Sequence, residues 1–276
     1  MRFGIFCSGQ ARKLDKTKLF KHFATIPSDY YFHSWIDDEN NPNWSRIKDF
    51  YPGAKIKLEK YSDEFDSYAQ YRLMPDLDHF RYHFAQFYTV LHSFRQYKDI
   101  GKYDFYFRTR TDINYQSDLL DFFDKNHSNF DTFRRWTWHA IKQTLDQDIW
   151  RDMVPDDLNT LLVNNDILDD RVFEIRPIVW SRLRMTDPKL GTVFDDFSWT
   201  MNEKAFNILR NADIEMIMKK AIDIKVDSGY AVQSPIVWSN IFKELGIFLI
   251  DSPISGNILR INAGEQNQVP YYGDIT

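Results

Sequence analysis

The period of the hydrophobic positions changes repeatedly along the first 115 residues. Short apolar or aromatic stretches that end in polar residues predict strands over 2–7, 29–35, 54–61 and 105–107. Between these strands, helices are predicted over 16–23, 43–50 and 80–94. Such alternation is typical of an α/β fold in which helices cover both faces of a mostly parallel sheet.

The helix predicted over 80–94 has the clearest pattern in the chain. Its apolar positions are spaced four, three, four and three residues apart, at Phe80, Phe84, Phe87, Leu91 and Phe94. On a helix this spacing produces one continuous apolar face, which predicts that the helix packs along the sheet. The chain then runs directly into the aromatic strand at 105–107.

The second half of the chain has a less regular pattern. Residues 173–185 have strand character, and Pro177 within them indicates an edge strand or a bulge. Residues 192–201 are predicted to form a short strand or loop that carries two acids, and 247–251 the last strand.

Two helices in this half have recognisable ends. The first is predicted over 202–212, with Asn202 as its N-cap. The second is predicted over 234–245, with Pro235 in its first turn and Gly246 after its end. No linker rich in Gly, Pro or Ser divides the chain, so we expect a single domain over 1–276.

Composition and charge exclude several function classes. A net charge of −5 and the lack of a long basic block argue against a nucleic-acid partner. Cys7 is the only cysteine, so an internal disulfide or a cysteine-based metal site is excluded, as expected in the reducing cytoplasm. The start of the chain lacks signal-peptide length, and the apolar run at 245–250 is too short for a transmembrane segment. We therefore expect a soluble cytoplasmic protein.

Polar side chains follow three of the predicted strands. These strand ends are Ser8-Gly9-Gln10 with Arg12, His33-Ser34-Trp35 with Asp37, and Arg108 to Asp112. Ligands of open α/β sheets bind at the carboxyl ends of the strands. We therefore expect the three polar ends to converge on one crevice.

The residue types at these ends suit a ligand that contains phosphate. Arg12, Arg108 or Arg110 can donate paired hydrogen bonds to phosphate oxygens. Asp112 can hold Mg²⁺ or Mn²⁺ against a diphosphate. An ion pair that closes the strand end is an equally good interpretation of these arginines and Asp112.

Other residues at or near the strand ends also have candidate roles. Gly9 permits close approach of the backbone, and Trp35 offers a flat face for a base or sugar. His33 either contacts a nucleotide or, as we favour, forms a structural hydrogen bond. His79 and His83 have zinc-compatible spacing, but no third ligand accompanies them, so zinc is not predicted there.

A family resemblance covers most of the chain. The segment Tyr103–Ile113, YDFYFRTRTDI, resembles the hydrophobic-Arg-x-Arg-x-Asp segment of GT-A glycosyltransferases of the WavE lipopolysaccharide-synthesis family. Viral and bacterial surface-glycan enzymes are similar. Further stretches resemble other parts of these enzymes in the same order, at 4–14, 29–35, 80–94, 192–209 and 234–247. The chain departs from the family at 233–235, Gln-Ser-Pro, where members often have Pro-Glu.

The resemblance implies a GT-A-like, Rossmann-like fold with a nucleotide-binding half, 1–115, and an acceptor half, 116–276. The implied activity is transfer of a sugar from a nucleotide-sugar donor to a glycan or other hydroxyl acceptor, in polysaccharide biosynthesis. Asp112 falls at the metal position for Mn²⁺ or Mg²⁺, and Arg110 stands where an Asp-x-Asp motif has an acid. Arg110 could instead neutralise the leaving diphosphate without a metal.

The resemblance also implies roles for individual residues. Those expected at the donor are Ser8, Gly9, Gln10, Arg12, His33, Trp35, Gln86, Arg108 and Arg110. Asp195 and Asp196 are candidates for the base that an inverting enzyme needs to take the acceptor proton. A solvated acidic turn is an equally good interpretation of this pair, and a retaining enzyme would not need a base there.

Two other functions remain open. A non-catalytic protein that binds a nucleotide-sugar or a glycan would have polar residues at the same strand ends. The missing first acid of the Asp-x-Asp motif keeps this interpretation open. A transferase with another activated donor, such as a sulfotransferase, is less favoured. The reason is that no Gly-x-x-x-x-Gly-Lys-Ser/Thr loop follows the first strand.

Overall fold

The structure is a computed structural model of the 276-residue chain. The residues that it describes are 2–9, 27–35, 43–59, 80–111, 113–115, 177–187, 191–217, 219–220, 223, 234–251 and 256–258. The helix expected over 16–23 lies outside these residues. No helix in the described ranges has the length and apolar character needed to cross a membrane.

Strands and helices alternate in the first part of the chain, as the sequence predicts. The strands are β1 Phe3–Ser8, β2 Ser28–Trp35, β3 Lys55–Glu59, β4 Phe105–Thr109, β5 Ile113–Tyr115, β6 Ile178–Ser181, β7 Leu183–Asp187, β8 Gly191–Phe194, β9 Trp199–Met201, β10 Phe248–Asp251 and β11 Gly256–Ile258. The helices are α1 Asn43–Phe50, α2 Phe80–Arg95, α3 Glu203–Arg210 and α4 Ser234–Glu244.

The central element is a seven-stranded sheet with the order β10-β6-β9-β4-β1-β2-β3. β1 pairs in parallel with β2 and β4, β2 with β3, and β6 with β10. β9 is antiparallel to both of its neighbours, β4 and β6. The α/β prediction of a mostly parallel sheet is therefore confirmed, and strands from both predicted halves share this sheet.

Helices cover both faces of the sheet, also as predicted. All six residues of β1 are buried, which is expected of a parallel strand between two helical layers. On one face, Phe6 packs against Phe94 of α2 and Phe206 of α3, with ring centroids 5.6 and 5.0 Å away. On the other face, Phe32 of β2 contacts Trp44 of α1 edge-on at 6.5 Å. We call the first of these the α2 face.

The predicted ends of α3 and α4 are found in the structure. The Asn202 side chain accepts a hydrogen bond of 3.0 Å from the Ala205 amide, as an N-cap does, and a second from the Ile178 amide. Gly246 follows α4 with a φ of +67°, a conformation that ends helices and that glycine adopts without strain. Pro235 lies in the first turn of α4.

Three expectations for the second half need correction. Within the stretch expected as one strand over 173–185, the described residues form two strands, β6 and β7. They are separated at Arg182, whose carbonyl accepts a hydrogen bond from the Asp195 amide. Pro177 does not mark an edge, because β6 lies between β10 and β9. Pro177 stands before β6, where its missing N–H costs no ladder bond, and its carbonyl accepts from the Phe248 amide.

The third correction concerns the last strand of the chain. The strand expected over 247–251 is not the last, since β11 follows it and pairs antiparallel with β5. A three-residue strand is too short to show a period of two in its sequence. Only its long-range pairing with β5 defines it.

Candidate functional site

The geometry of the sheet places the loop between β8 and β9 at the predicted crevice. The carboxyl ends of β1, β2, β3 and β4 share one edge because these strands are parallel. β9 runs the other way, with Arg108 paired to Trp199, so the start of β9 lies beside the end of β4. The intervening segment Asp195–Ser198, which we call the acidic loop, therefore lies at this carboxyl edge.

Hydrogen bonds to Asp195 hold the start of the acidic loop. The Asp195 amide donates to the Arg182 carbonyl over 2.8 Å, and the Asp195 carbonyl accepts from Ser181 Oγ at 2.7 Å. The same carbonyl accepts from Trp199 Nε1 at 3.0 Å. Asp195 Oδ1 accepts from the Phe197 amide at 3.1 Å, which makes a local turn. The Asp195 carboxylate thus has a structural partner within the loop.

Asp196 has a different environment. It is 3% exposed, and its Oδ2 accepts a hydrogen bond of 2.8 Å from Nε2 of Gln86 on α2. Its buried Oδ1 accepts no hydrogen bond from any residue that the structure describes. Buried polar atoms without partners are rare because leaving one unpaired costs about 1–3 kcal/mol, and many of them occur at functional sites. Asp196 is therefore the stronger candidate of the two acids.

Arg108 lies beneath the acidic loop. It is 1% exposed, its guanidinium carbon is 4.9 Å from the centre of the Trp199 ring, and its Nη1 donates to the Asp196 carbonyl. A hydrogen-bonded guanidinium stacked on an aromatic ring is a stabilising arrangement in a protein interior. These contacts fit a supporting role for Arg108 beneath the loop, and the phosphate contact expected from the sequence stays a prediction.

Arg110 follows β4 and is only partly buried. Its guanidinium carbon lies 5.9 Å from the centre of the Phe197 ring, at the outer side of the acidic loop. Of these two arginines of the Arg-x-Arg-x-Asp segment, Arg110 is therefore the one with access to solvent. The predicted metal ligand, Asp112, lies outside the described residues.

The first polar strand end is described in part. Ser8 ends β1 and is buried, and the Gly9 amide donates to the His33 carbonyl over 3.0 Å. Gly9 has a φ of +103°, and a Cβ built there would meet nothing within 4 Å. Glycine is thus favoured at this position by the backbone conformation rather than by lack of space. Gln10 and Arg12 lie outside the described residues.

The second polar strand end leads to a separate cluster. His33 is fully buried and its Nε2 lies 3.3 Å from Glu59 Oε2, while the backbone of Trp35 pairs with that of Glu59. Nε2 of His92 on α2 lies 2.8 Å from the same oxygen. These contacts fit the interpretation of His33 as a hydrogen-bonding residue.

The carboxylate of Glu59 is stabilised in its charged form. Burial by itself raises its pKa, but hydrogen bonds from His33, Lys57 and His92 outweigh burial and lower the pKa to about 2. Lys57 Nζ lies 2.6 Å from Oε1 of Glu59. Glu59 is therefore ionised at neutral pH.

Sequence reasoning missed two relationships. Gln86 was expected at the donor, yet its described contact is with Asp196, a residue 110 positions away. Glu59 was not considered, although it ends β3 just as Trp35 ends β2. Ligands of open α/β sheets bind at the carboxyl ends of the strands, and by this rule Glu59 is a fourth polar strand end beside the three predicted.

Comparisons with known proteins give only distant similarities. No protein-family model and no curated protein matches the sequence, so the WavE resemblance stays a prediction. The galactosyltransferase LgtC, solved with donor and acceptor sugar analogues, is similar with a TM-score of 0.42 and 11% identity, over 90% of this chain and 73% of that one. The glycosyltransferase GlyE of Streptococcus pneumoniae has a TM-score of 0.39 and 14% identity, over 90% and 44%.

Mouse xyloside xylosyltransferase 1 is similar with a TM-score of 0.34 and 8% identity, over 97% of this chain and 90% of that one. All three of these solved structures are of glycosyltransferases. Because each TM-score is below 0.5, these similarities do not by themselves assign an activity to this chain.

Proposed function

We propose that the protein is a glycosyltransferase that moves a sugar from a nucleotide-sugar donor to a hydroxyl group of a glycan or other acceptor. The observation that carries this proposal is the environment of Asp196. Its carboxylate is buried at the carboxyl edge of the sheet, Gln86 holds one oxygen, and the other accepts no hydrogen bond from the described residues. The resemblance of Tyr103–Ile113 to the Arg-x-Arg-x-Asp segment supports it.

In the proposed reaction Asp196 acts as the general base. Its Oδ1 takes the proton of the acceptor hydroxyl as the hydroxyl oxygen forms a bond to the anomeric carbon of the donor sugar. The bond between that carbon and the phosphate oxygen breaks, and its electron pair leaves on the nucleoside diphosphate. Attack from the face opposite the leaving group inverts the configuration at the anomeric carbon.

The leaving diphosphate gains negative charge in this step, so nearby cations lower the barrier. We assign this task to Arg110, which is partly exposed beside the acidic loop. Asp112 would hold Mn²⁺ or Mg²⁺, and such an ion would supply further positive charge for the leaving diphosphate. Surface-polysaccharide synthesis is the setting that the WavE resemblance suggests, and the single cysteine suggests that it takes place in the cytoplasm.

The test begins with donor binding. Thermal unfolding is measured with UDP-, GDP-, CMP- and dTDP-sugars, with and without Mn²⁺, because a ligand that binds only the folded chain raises the melting temperature. We expect one nucleotide class to raise it. If none does so under either condition, the donor site does not exist.

The second step compares two variants in a transfer or donor-hydrolysis assay. Asp196→Asn keeps an acceptor for Gln86 but cannot take a proton, so we expect the rate to fall by about 10²–10⁴-fold while donor binding persists. Asp195→Asn keeps an oxygen for the Phe197 amide and should retain most of the activity. A normal rate in Asp196→Asn would disprove its role. Donor binding without turnover in the unmodified protein would instead favour the non-catalytic binding function.

A further inference from the structure

The cluster formed by His33, Glu59 and His92 contains the ligand types of a metal site. The three residues come from three elements, β2, β3 and α2. Each offers one nitrogen or oxygen, and the three atoms all lie within 4.8 Å of one another. Two imidazoles and one carboxylate are a common set of protein ligands for Zn²⁺ and other first-row divalent ions.

The separations within the cluster suit a common ion. Ligand atoms at about 2.0–2.1 Å from a tetrahedral ion lie roughly 3.3 Å from one another. Glu59 Oε2 lies 3.3 Å from His33 Nε2 and 2.8 Å from His92 Nε2. All three ligand atoms lie within 4.8 Å of one another, so side-chain rotations can bring them onto one ion.

The surroundings of the cluster favour a partly open site. The His33 side chain is fully buried, whereas those of His92 and Glu59 are 12% and 20% exposed. Water can therefore reach the ion as a fourth ligand, as in sites with three protein ligands. The sheet holds His33 and Glu59 in adjacent strands, so two of the three ligands have a rigid support.

We propose that His33, Glu59 and His92 bind one divalent transition-metal ion of the zinc class, and that this ion joins α2 to β2 and β3. Each histidine would ligate the ion as a neutral imidazole, through the lone pair of Nε2 and with its ring proton on Nδ1. The site is distinct from the proposed position at Asp112, and it does not depend on the glycosyltransferase activity.

Lys57 opposes metal binding and so provides a diagnostic variant. Its Nζ is 2.6 Å from Glu59 Oε1, and its positive charge repels a cation bound at Oε2. Lys57 also donates to Gln96 Oε1, and Gln96 in turn contacts His92. The alternative to a metal site is a cluster held together only by these hydrogen bonds. In that case the Lys57→Gln variant would gain no affinity for metal ions.

The experiment uses the full chain after dialysis against a chelator, without nucleotide. Zn²⁺ and Co²⁺ are titrated calorimetrically, and the visible spectrum of the Co²⁺ form is recorded. We expect one ion per chain, Co²⁺ absorption typical of nitrogen and oxygen ligands, and a higher melting temperature with metal. Lys57→Gln should bind Zn²⁺ more tightly than the unmodified chain.

Variants of the ligands locate the ion. Glu59→Gln and His92→Gln should each weaken Zn²⁺ binding by on the order of 100-fold, since even outer partners of metal ligands contribute 10–100-fold. The matched control is His83→Gln on the same helix, which should bind normally. Circular dichroism confirms that each variant is folded.

Three results would overturn the proposal. They are a folded unmodified chain that binds neither ion stoichiometrically, binding that persists in both ligand variants, and binding that is lost in His83→Gln instead. Should the ligand variants fail to fold, the unmodified chain and Lys57→Gln decide the question. No stoichiometric Zn²⁺ or Co²⁺ binding by the folded unmodified chain would then exclude the site, and tighter Zn²⁺ binding by Lys57→Gln would support it.

Discussion

Gln86 of α2 donates a hydrogen bond of 2.8 Å to Oδ2 of Asp196, across the α2 face of the sheet. This bond links the helix that precedes the Arg-x-Arg-x-Asp segment to the loop that precedes β9. It sets the orientation of the acid that we propose as the base. Because Asp196 is buried and Gln86 is partly buried, the bond also contributes to stability.

Gln86→Leu is expected to lower the free energy of unfolding by about 1–3 kcal/mol, because Asp196 Oδ2 loses its donor in a buried position. Urea denaturation measures the change. In an Asp196→Ala background the same substitution should cost much less, since no carboxylate remains to be left unpaired. Equal costs in the two backgrounds would show that the hydrogen bond is not formed in solution.

The two described arginines of the Arg-x-Arg-x-Asp segment should respond differently to substitution. Arg108→Met removes the donor to the Asp196 carbonyl and the cation over Trp199, so we expect a loss of about 2–4 kcal/mol in the free energy of unfolding. Arg110→Met, at a partly exposed position, should change stability by less than about 0.5 kcal/mol.

The effect of substitution on catalytic activity should also be informative for these arginines. Under the proposed function, Arg110→Met reduces kcat because the leaving diphosphate loses a cation. Urea unfolding and steady-state kinetics on the same preparations provide both measurements. A stable Arg108→Met protein, or an Arg110→Met enzyme with normal kcat, would contradict the assignment.

Gly4→Ala should destabilise the fold by about 1–3 kcal/mol, because it overpacks the α2 face. A Cβ at Gly4 would lie 2.5 Å from Cδ2 of Tyr103, whose hydroxyl is hydrogen-bonded to Tyr31 and Asp29 and cannot move freely. Thermal or urea unfolding gives the cost. The cost should shrink when Tyr103 is replaced by Ala.

Gly53→Ala is the control for this clash. Its φ of +87° makes alanine unfavourable, but nothing lies within 4 Å of the added Cβ. The cost at Gly53 should therefore be unaffected by Tyr103→Ala. A similar rescue at both glycines would mean that steric overlap with Tyr103 is not the cause at Gly4.

Stability should decline in alkaline solution. Burial raises the pKa of the Cys7 thiol. It is also the largest cause of the raised pKa values of the Tyr30 and Tyr97 phenols. These groups stay protonated in the folded chain and ionise on unfolding, so the unfolded state binds fewer protons. The free energy of unfolding should therefore fall as pH rises above about 8.5, where a free thiol ionises, and more steeply above about 10, where free phenols do.

Urea midpoints between neutral and alkaline pH test this expectation. The reactivity of Cys7 is an independent test of burial, because its thiol is buried in the folded chain. A thiol reagent should react with Cys7 at neutral pH only after denaturant is added. A flat stability profile, or rapid labelling of the folded protein, would show that these groups are exposed to solvent.

Local patterns were sufficient for the secondary structure around the site. The apolar stripe of α2 identified the helix, and its members Phe87, Leu91 and Phe94 are buried. Asn202 was identified as an N-cap from its side chain and position, because capping depends on a few neighbouring residues. The strand-end prediction correctly placed Arg108 and Arg110 at the end of β4, whereas Asp195 and Asp196 are candidates through the family resemblance.

Contacts between distant segments could not be read from these patterns. The chemistry of Arg108 and Arg110 is the same, yet one is buried under Trp199 and the other is partly exposed. Asp195 and Asp196 are likewise identical in type, and only their hydrogen bonds distinguish them. The short strand β11 also exists only through its pairing with β5.

The alternation of strands and helices follows from local features of the amino-acid sequence, because apolar periodicity, caps and turns each involve neighbouring residues. The contact of Gln86 with Asp196 and the cluster of His33, Glu59 and His92 arise from the packing of the folded chain. Each of these relationships joins residues from different elements. Their distances depend on how helices pack across the sheet, and no spacing along the chain encodes that.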